Sequence, residues 1–304
     1  MVCVLTYLRP DGLTRLLSAL AELRFPGEPP ELRLLVTDND PEASARPVCE
    51  ALGARLPFSL RYQVEKRRGI PQARNAALVA ALGSCDFVAF LDDDEVPERE
   101  WLAELLRVQR ETGADAVTGP CLSRFDVPPP AWIAAAGFFV RPRWPTGQRL
   151  RFAYTGNVLI RTEALADLGE LFDERMALTG SEDSEFFQRF DRAGRRIVWC
   201  DTAVVHDRVP ASCARLRWIL ARSYRAGAAE AYIERKLDPG MAATARIFAH
   251  AGYCVAKAAL LLAAAGLRGR AAGARALHLA SFGVGRLGGL IGLQYAEYQR
   301  VHGH

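Results

Sequence analysis

Apolar residues follow two alternating rhythms through the first 120 positions. Val2–Thr6 is a short continuous apolar run. Arg9-Pro10-Asp11-Gly12 then reads as a turn, and Leu13, Leu16, Leu17, Leu20 and Leu23 recur at helical spacing. The unit repeats: residues 32–37, 59–64, 87–91 and 114–118 read as strands, and 43–53, 71–82 and 98–112 as amphipathic helices. Alternation of this kind predicts an α/β fold, a mostly parallel sheet with helices on both faces. From about residue 120 to 155 the rhythm fails around Pro128-Pro129-Pro130, Trp132 and Trp144, and loops with short strands are expected to wall one edge of the sheet. A strand at 156–160 and a helix at 181–193 follow, and beyond His206 the chain reads as helical and alanine-rich to its end.

Open sheets of this kind bind ligands beyond the carboxyl ends of their strands. Three predicted strand ends carry polar residues: Thr6-Tyr7, Asp38-Asn39-Asp40 and Asp92-Asp93-Asp94-Glu95. The third drives an apolar strand into four successive acids, which is tolerable only if they are solvated, share protons or are neutralised by a cation. Carboxylates suit Mg²⁺ or Mn²⁺, cations that bind one or two protein carboxylates together with substrate phosphates, so a nucleotide diphosphate is a natural third party. A solvated acidic cap on the helix that follows Pro97 is an equally open reading.

Composition narrows the class. With 304 residues, half of them hydrophobic and 24% charged, the chain is globular, which excludes disorder, collagen-like repeats and a simple coiled coil. The net charge of +4 hides an asymmetry: residues 206–304 hold 14 basic against 5 acidic side chains, and residues 1–205 hold 25 against 30. Seven cysteines without a CxxC pair argue against a disulfide frame or a zinc site and for a reducing compartment. The N-terminal segment lacks the pattern of a secretory signal, so a cytosolic location is expected.

Six blocks in order resemble the family-2 inverting glycosyltransferases. Residues 4–10 look like that family's first strand and TYxRP-like turn, and Val36-Thr37-Asp38-Asn39-Asp40 is similar to its second strand end. Gly69-Ile70-Pro71-Gln72-Ala73-Arg74-Asn75 resembles its ARN block, and Phe90-Leu91-Asp92-Asp93-Asp94 its D-x-D signature. Thr155-Gly156-Asn157-Val158-Leu159-Ile160-Arg161 looks like the acceptor-side strand, and residues 180–190 look like the helix carrying the catalytic base. The resemblance covers roughly residues 2–227, and two departures stand out: Leu8 where Asn is usual, and Ser181 between Gly180 and Glu182.

That resemblance implies a GT-A fold: a Rossmann-like, mostly parallel sheet with an acceptor subdomain and a C-terminal helical region. It implies a nucleotide-sugar half (1–118), an acceptor and base half (119–227), and a basic, apolar, membrane-associating tail (228–304). By the same resemblance Thr6, Tyr7, Arg9, Asp38, Arg74, Asn75, Asp92 and Asp93 would bind the nucleotide sugar, with Asp38 at the uracil and Asp92 near the ribose. Trp101, Gly156, Asn157 and Glu182 would serve the acceptor, and Asp94 would hold a divalent cation, Mg or Mn. His206 is a further candidate metal ligand, with a purely structural histidine the competing reading; Arg208 and Arg225 are candidates for phosphate charge.

Asp183 is the expected catalytic base. Inverting transfer needs a carboxylate that takes the proton of the attacking hydroxyl. Ser181 as N-cap, Phe186, Phe187 and Phe190 at helical spacing and Gly194 as a stop place Glu182 and Asp183 in a first turn, where the positive helix end favours the ionised form. First-turn acids that merely complement the helix dipole are the bland alternative.

Residues 247–267 and 276–296 are each long enough to span a bilayer, yet Lys257 and Arg286 lie near their centres. A transmembrane hairpin with Arg268, Arg270 and Arg275 in its connection would put the donor domain outside the cell, away from nucleotide sugar. Helices lying in the cytoplasmic interface, or packed on the protein itself, avoid that conflict. Within the family, the run from Phe90 through Asp92-Asp93-Asp94-Glu95 to Pro97, the prolines before Ala131-Trp132 and the basic alanine-rich tail resemble the bacterial succinoglycan-type exopolysaccharide glucosyltransferases. The expectation is a UDP-sugar donor, a lipid-linked glycan acceptor and the cytoplasmic face of the inner membrane, without nucleic acid as a partner. A nucleotidyltransferase acting on sugar phosphates and a non-catalytic membrane scaffold are the rivals.

Overall fold

The computed structural model describes residues 1–299, and residues 266–268 by their backbone alone. Residues 300–304 of the expected tail, and the side chain of Arg268, lie outside the described part. The chain opens with β1 (Val2–Thr6), α1 (Pro10–Leu20), β2 (Arg33–Asp38), α2 (Arg46–Gly53), β3 (Ser59–Val64), α3 (Ile70–Ala81) and β4 (Phe87–Asp92). A short β5 (Glu95–Pro97) precedes α4 (Trp101–Thr112) and β6 (Ala116–Thr118). The irregular stretch holds β7 (Cys121–Phe125), α5 (Ala131–Ala136) and β8 (Arg149–Leu150). Then come β9 (Val158–Arg161), α6 (Glu182–Arg192), β10 (Ile197–Trp199), β11 (Val205–Val209), α7 (Leu216–Leu237) and α8 (Met241–Leu290).

The main sheet has the order β3-β2-β1-β4-β9-β6-β10-β8. Strands β3, β2, β1 and β4 are mutually parallel, β9 runs antiparallel between β4 and β6, and β8 closes the far edge antiparallel to β10. Residues on both sides of position 118 therefore contribute to one continuous sheet. A second sheet, β5-β11-β7, stands beside it.

The apolar run of β1 is buried on both faces, which is why it does not alternate. Val2 and Val4 pack with Leu13, Leu16, Leu17 and Leu20 of α1 and with Trp101 and Leu105 of α4. Cys3 and Leu5 pack instead with Ala73, Ala77 and Leu78 of α3 and the three phenylalanines of α6. Phe186 stacks on Phe172 at 4.4 Å between ring centroids, and Phe172 meets Phe90 edge-on at 6.2 Å, so aromatic contacts fix α6 against β4.

Two helix starts fall later than the apolar spacing predicts. Helix α2 begins at Arg46 because residues 40–45 form a turn with Ala43 at φ 59°, and the Ala45 amide is spent on the Asp38 carboxylate at 2.8 Å. Helix α4 begins at Trp101 because Glu95–Pro97 pairs with β11, and the Glu98 amide then donates to the carbonyl of Val204.

The tail resolves into two unlike halves separated by Gly269, whose φ of 79° breaks α8. The second half packs tightly on α7 through glycines. A Cβ on Gly227 would stand 2.1 Å from the Phe282 carbonyl oxygen, and one on Gly285 2.0 Å from that of Tyr224. Arg286 is buried there and neutralised by Glu230 at 3.0 Å and Glu234 at 2.6 Å, both on α7. The stretch 276–296 thus packs on the protein, and its helix ends at Leu290. Among the described residues one helical stretch, Met241–Ala265, is long and apolar enough to cross a membrane, and only 22% of its apolar window is buried.

Candidate active site

Parallel pairing sets β1 and β4 side by side with Leu5 opposite Asp92, so Thr6-Tyr7 and the acidic run leave the sheet at the same edge. A cleft of about 480 Å³ opens there; Tyr7, Arg9, Arg74, Asp94, Gly156 and Asp183 are among the residues that line it. Its organising side chain is Arg74, on the first turns of α3. The guanidinium is buried, lies 3.1 Å from Asp92 and forms an ion pair with the equally buried Glu182 at the start of α6. One side chain therefore ties the strand-end acids to the helix that carries Asp183. Asp183 lines the cleft and accepts the Ser184 amide on Oδ1 at 2.7 Å.

The four acids alternate in role. Asp92 and Asp94 are about a third exposed, at 39% and 35% of their side chains. Asp93 and Glu95 turn inward and are buried. Asp93 accepts the Thr6 hydroxyl at 2.8 Å and Arg9 at 2.9 Å, and Arg9 reaches Asp94 at 2.7 Å. Burial pushes the Asp93 carboxyl up to about 7; Arg9 pulls against that, and the charge of Asp94 adds to it. Glu95 is raised well above the carboxylate range by burial and by Asp92; it holds the Asp92 amide at 2.8 Å and packs on Gly156, where a Cβ would come within 2.1 Å of its Oε1. A merely solvated helix cap does not bury two of its four acids, so that reading falls.

Several expected site residues prove to hold the frame instead. Asp38 is fully buried and its oxygens are taken by the amides of Asp40 and Ala45 and the Tyr62 hydroxyl, so it has no face for a uracil. Asn39, which lines the cleft, holds the Gly69 amide at 2.7 Å. Asn75 points away from the cleft and clamps the amide and carbonyl of Phe172 at 2.8 and 2.9 Å. Trp101 is buried, its indole donating at 2.8 Å to Asn157, and the Asn157 amide group donates to the Pro120 and Ala203 carbonyls; neither side chain can touch an acceptor.

His206 is likewise turned out of the cleft, with Nε2 3.2 Å from Glu98. In the β11–β5 register His206 faces Val96 whereas Asp207 faces Glu95, so it is Asp207 that enters. Burial and the charge of Asp94 push Asp207 up to about 6 against the pull of Arg141. Among the described residues no three side chains form a complete metal cage. Asp94 with Asp207 is the partial oxygen set that suits a hard cation shared with phosphates.

The two departures from the family pattern lie at or beside the cleft, and both take left-handed backbone. Leu8 has φ 54°, a left-handed conformation in which Asn is the easier residue, which accounts for the usual Asn there. Ser181 has φ 69° and makes no side-chain cap; its hydroxyl instead accepts Arg225 at 3.2 Å. The C-terminal segment returns to this edge: Glu297 pairs with Arg225 at 2.5 Å, and Arg68, 230 residues away, donates to the carbonyls of Tyr298 and Gln299 at 3.1 Å. Arg68 also lies over the ring of Tyr7 at 4.8 Å.

A mostly parallel sheet, acids at its strand ends and a first-turn carboxylate lining the same cleft are the architecture of a glycosyltransferase of the GT-A fold. The chain belongs to glycosyl transferase family 2, whose sequence model matches residues 1–169. It is 36% identical over 298 residues to the succinoglycan biosynthesis protein ExoM of Rhizobium meliloti (strain 1021), covering 97% of this chain and 93% of that protein. It is 29% identical over 241 residues to the pre-mycofactocin glycosyltransferase of Mycobacterium tuberculosis, covering 75% of this chain and 46% of that one. Similar solved folds include the mannosyltransferase PcManGT from Pyrobaculum calidifontis in complex with GDP-Man and Mn²⁺ (TM-score 0.62, 20% identity, 94% and 86% of the chains). S. aureus TarS 1–349 in complex with UDP-GlcNAc is another (TM-score 0.54, 19% identity, 97% and 92%).

Proposed function

We propose that this glycosyltransferase moves a hexose, glucose the first candidate, from a UDP-sugar to a lipid-linked glycan with inversion, in exopolysaccharide assembly at the cytoplasmic face of the membrane. The observation that carries the reading is the Arg74 bridge, which sets the base helix against the strand-end acids across one cleft. The likeness to a succinoglycan biosynthesis protein supports the pathway class, and the UDP-GlcNAc and Mn²⁺ complexes of similar folds support donor and cation.

Tyr7, Arg68 and Arg74 line the donor side, and Asp92 waits at the edge of β4. An acceptor hydroxyl between donor and α6 loses its proton to the Asp183 carboxylate as its oxygen bonds the anomeric carbon and the bond to the diphosphate oxygen breaks. Asp94 and Asp207 would hold the cation, which when bound offsets charge building on the leaving diphosphate. Arg9, Arg222 and Arg225 supply positive charge to the same cleft.

The exposed apolar stretch Met241–Ala265, in the basic part of the chain, supports lodging at an anionic membrane surface. The test is Asp183→Asn: UDP release with membrane extract as acceptor source should fall about 10²–10⁴-fold while UDP binding with Mn²⁺ persists. Turnover unchanged by that substitution overturns the base assignment, release of pyrophosphate in place of UDP indicates a nucleotidyltransferase, and loss of UDP binding in the unsubstituted protein indicates a scaffold.

A further inference from the structure

The last described turn, Glu297–Gln299, touches both lips of the cleft. On the donor lip, the Tyr298 and Gln299 carbonyls each accept Arg68 at 3.1 Å. On the other lip lies the loop that delivers α6, and the turn holds it in three ways. The Tyr298 amide donates to the Leu178 carbonyl at 3.2 Å. The Tyr298 ring covers Gly180, where a Cβ would come within 2.6 Å of it. Glu297 pairs with the buried Arg225, whose guanidinium donates to the Thr179 carbonyl at 2.9 Å and to the Ser181 hydroxyl at 3.2 Å.

This loop needs support from outside. Gly180 and Ser181 are both left-handed, at φ 70° and 69°, and serine populates that region sparsely. A hydroxyl bonded to an amide of the first turn would fix the helix start from within, but that of Ser181 is spent on Arg225. Glu182 and Asp183 follow directly, so a loop that relaxed to an ordinary backbone conformation would re-aim the first turn of α6. We infer that Glu297 and Tyr298 are positioning residues for the base: the turn they form clamps the left-handed Gly180-Ser181 pair and so sets where the Asp183 carboxylate stands in the cleft. Both act through other groups, Glu297 through Arg225 and Tyr298 through its ring and amide. The inference rests on the reading of Asp183 as the base.

The experiment compares Glu297→Gln, Tyr298→Ala and Tyr298→Phe in the full-length protein. It reads amide hydrogen exchange of residues 178–184, kcat for UDP release at saturating donor, and UDP binding with Mn²⁺. Without the clamp Ser181 leaves its left-handed state, so Glu297→Gln and Tyr298→Ala should each speed that exchange and lower kcat, both by about tenfold. UDP binding should not weaken, since Arg225 keeps its charge. Tyr298→Phe, which keeps the ring, should restore most of the kcat lost in Tyr298→Ala. Adding Ser181→Gly to Glu297→Gln should restore part of the loss, because glycine takes the left-handed state without help. Exchange in β1 and β4 checks that the fold is intact, and if Glu297→Gln fails to fold, the two Tyr298 variants carry the test. Unchanged exchange at 178–184, faster exchange with kcat unchanged, Tyr298→Phe as slow as Tyr298→Ala, or a loss confined to UDP binding would each overturn the inference. Turnover retained by Asp183→Asn sinks the base reading, a failure distinguishable from that of the clamp, which exchange at 178–184 reports without turnover.

Discussion

Replacing Arg74 by Met removes the one cation between two acids, and the structure sets the size of the effect. The guanidinium is 4% exposed and Glu182 3%, so the pair is fully desolvated, and one further oxygen of Glu182 already lacks a partner. Breaking such a pair from one side leaves a buried uncompensated charge and costs about 3–5 kcal/mol. With a urea slope of about 3 kcal/mol per M for a chain of this size, the unfolding midpoint should fall by about 1–1.7 M. Glu182→Gln in the same background removes the orphaned charge and should restore about half or more of the loss, since a buried pair replaced on both sides is often neutral. The assay is urea unfolding of the two single variants and the double variant, with UDP release measured on each. Activity should stay low in the stabilised double variant, because Asp92 and α6 have lost their tie. If Arg74→Met costs under about 1 kcal/mol, or the double variant is no more stable than the single, the bridge is not what holds the two halves of the site together.

Gly156→Ala should drive a methyl group into Glu95, costing about 1–3 kcal/mol in thermal unfolding and lowering UDP release, since Glu95 holds the Asp92 amide. Asp173 is buried, which alone would raise its carboxyl, but hydrogen bonds from Arg175, Lys236 and Tyr232 hold it well below the ordinary value of 3.8. A carboxyl lowered in the folded state adds stability that is present above that ordinary value and lost as pH falls below it. Asp173→Asn should therefore cost about 1–3 kcal/mol at pH 7 and show a flatter stability profile between about pH 5 and 3. Phe248 and Leu260 are exposed on α8, at 57% and 75%, and their joint replacement by Glu should cut binding to phosphatidylglycerol vesicles at least about a hundredfold in sedimentation, with high salt alone acting only partly. Point changes suit this test better than deletion of the tail, because Tyr298 lines the cleft and Glu297 pairs with Arg225, which lines it too.

The strands, the helices on both faces and the acidic edge of the sheet were legible in the chain, because burial imposes a period that each short segment displays by itself. The acidic run also carried its own warning, since four adjacent acids need a reason to coexist. What the local pattern could not show is which way a side chain turns. Asp38, Asn75 and Asn157 lie in recognisable blocks and Trp101 follows one, yet each is used to hold a turn, a loop or a strand in place, because buried polar groups must find partners wherever the surrounding backbone leaves an unpaired amide or carbonyl. The exchange of His206 for Asp207 is a matter of one residue of strand register, which inverts the face presented. The tail gives the same lesson at larger scale: two segments of like length and composition are separated only by whether another helix lies beside them, and the close approach of α7 to the second half of α8 makes Arg286 a buried, paired charge. The arrival of Glu297 and Tyr298 beside Arg68 and Arg225 is a contact across most of the chain, set by the path of two long helices, and no window of the sequence contains it.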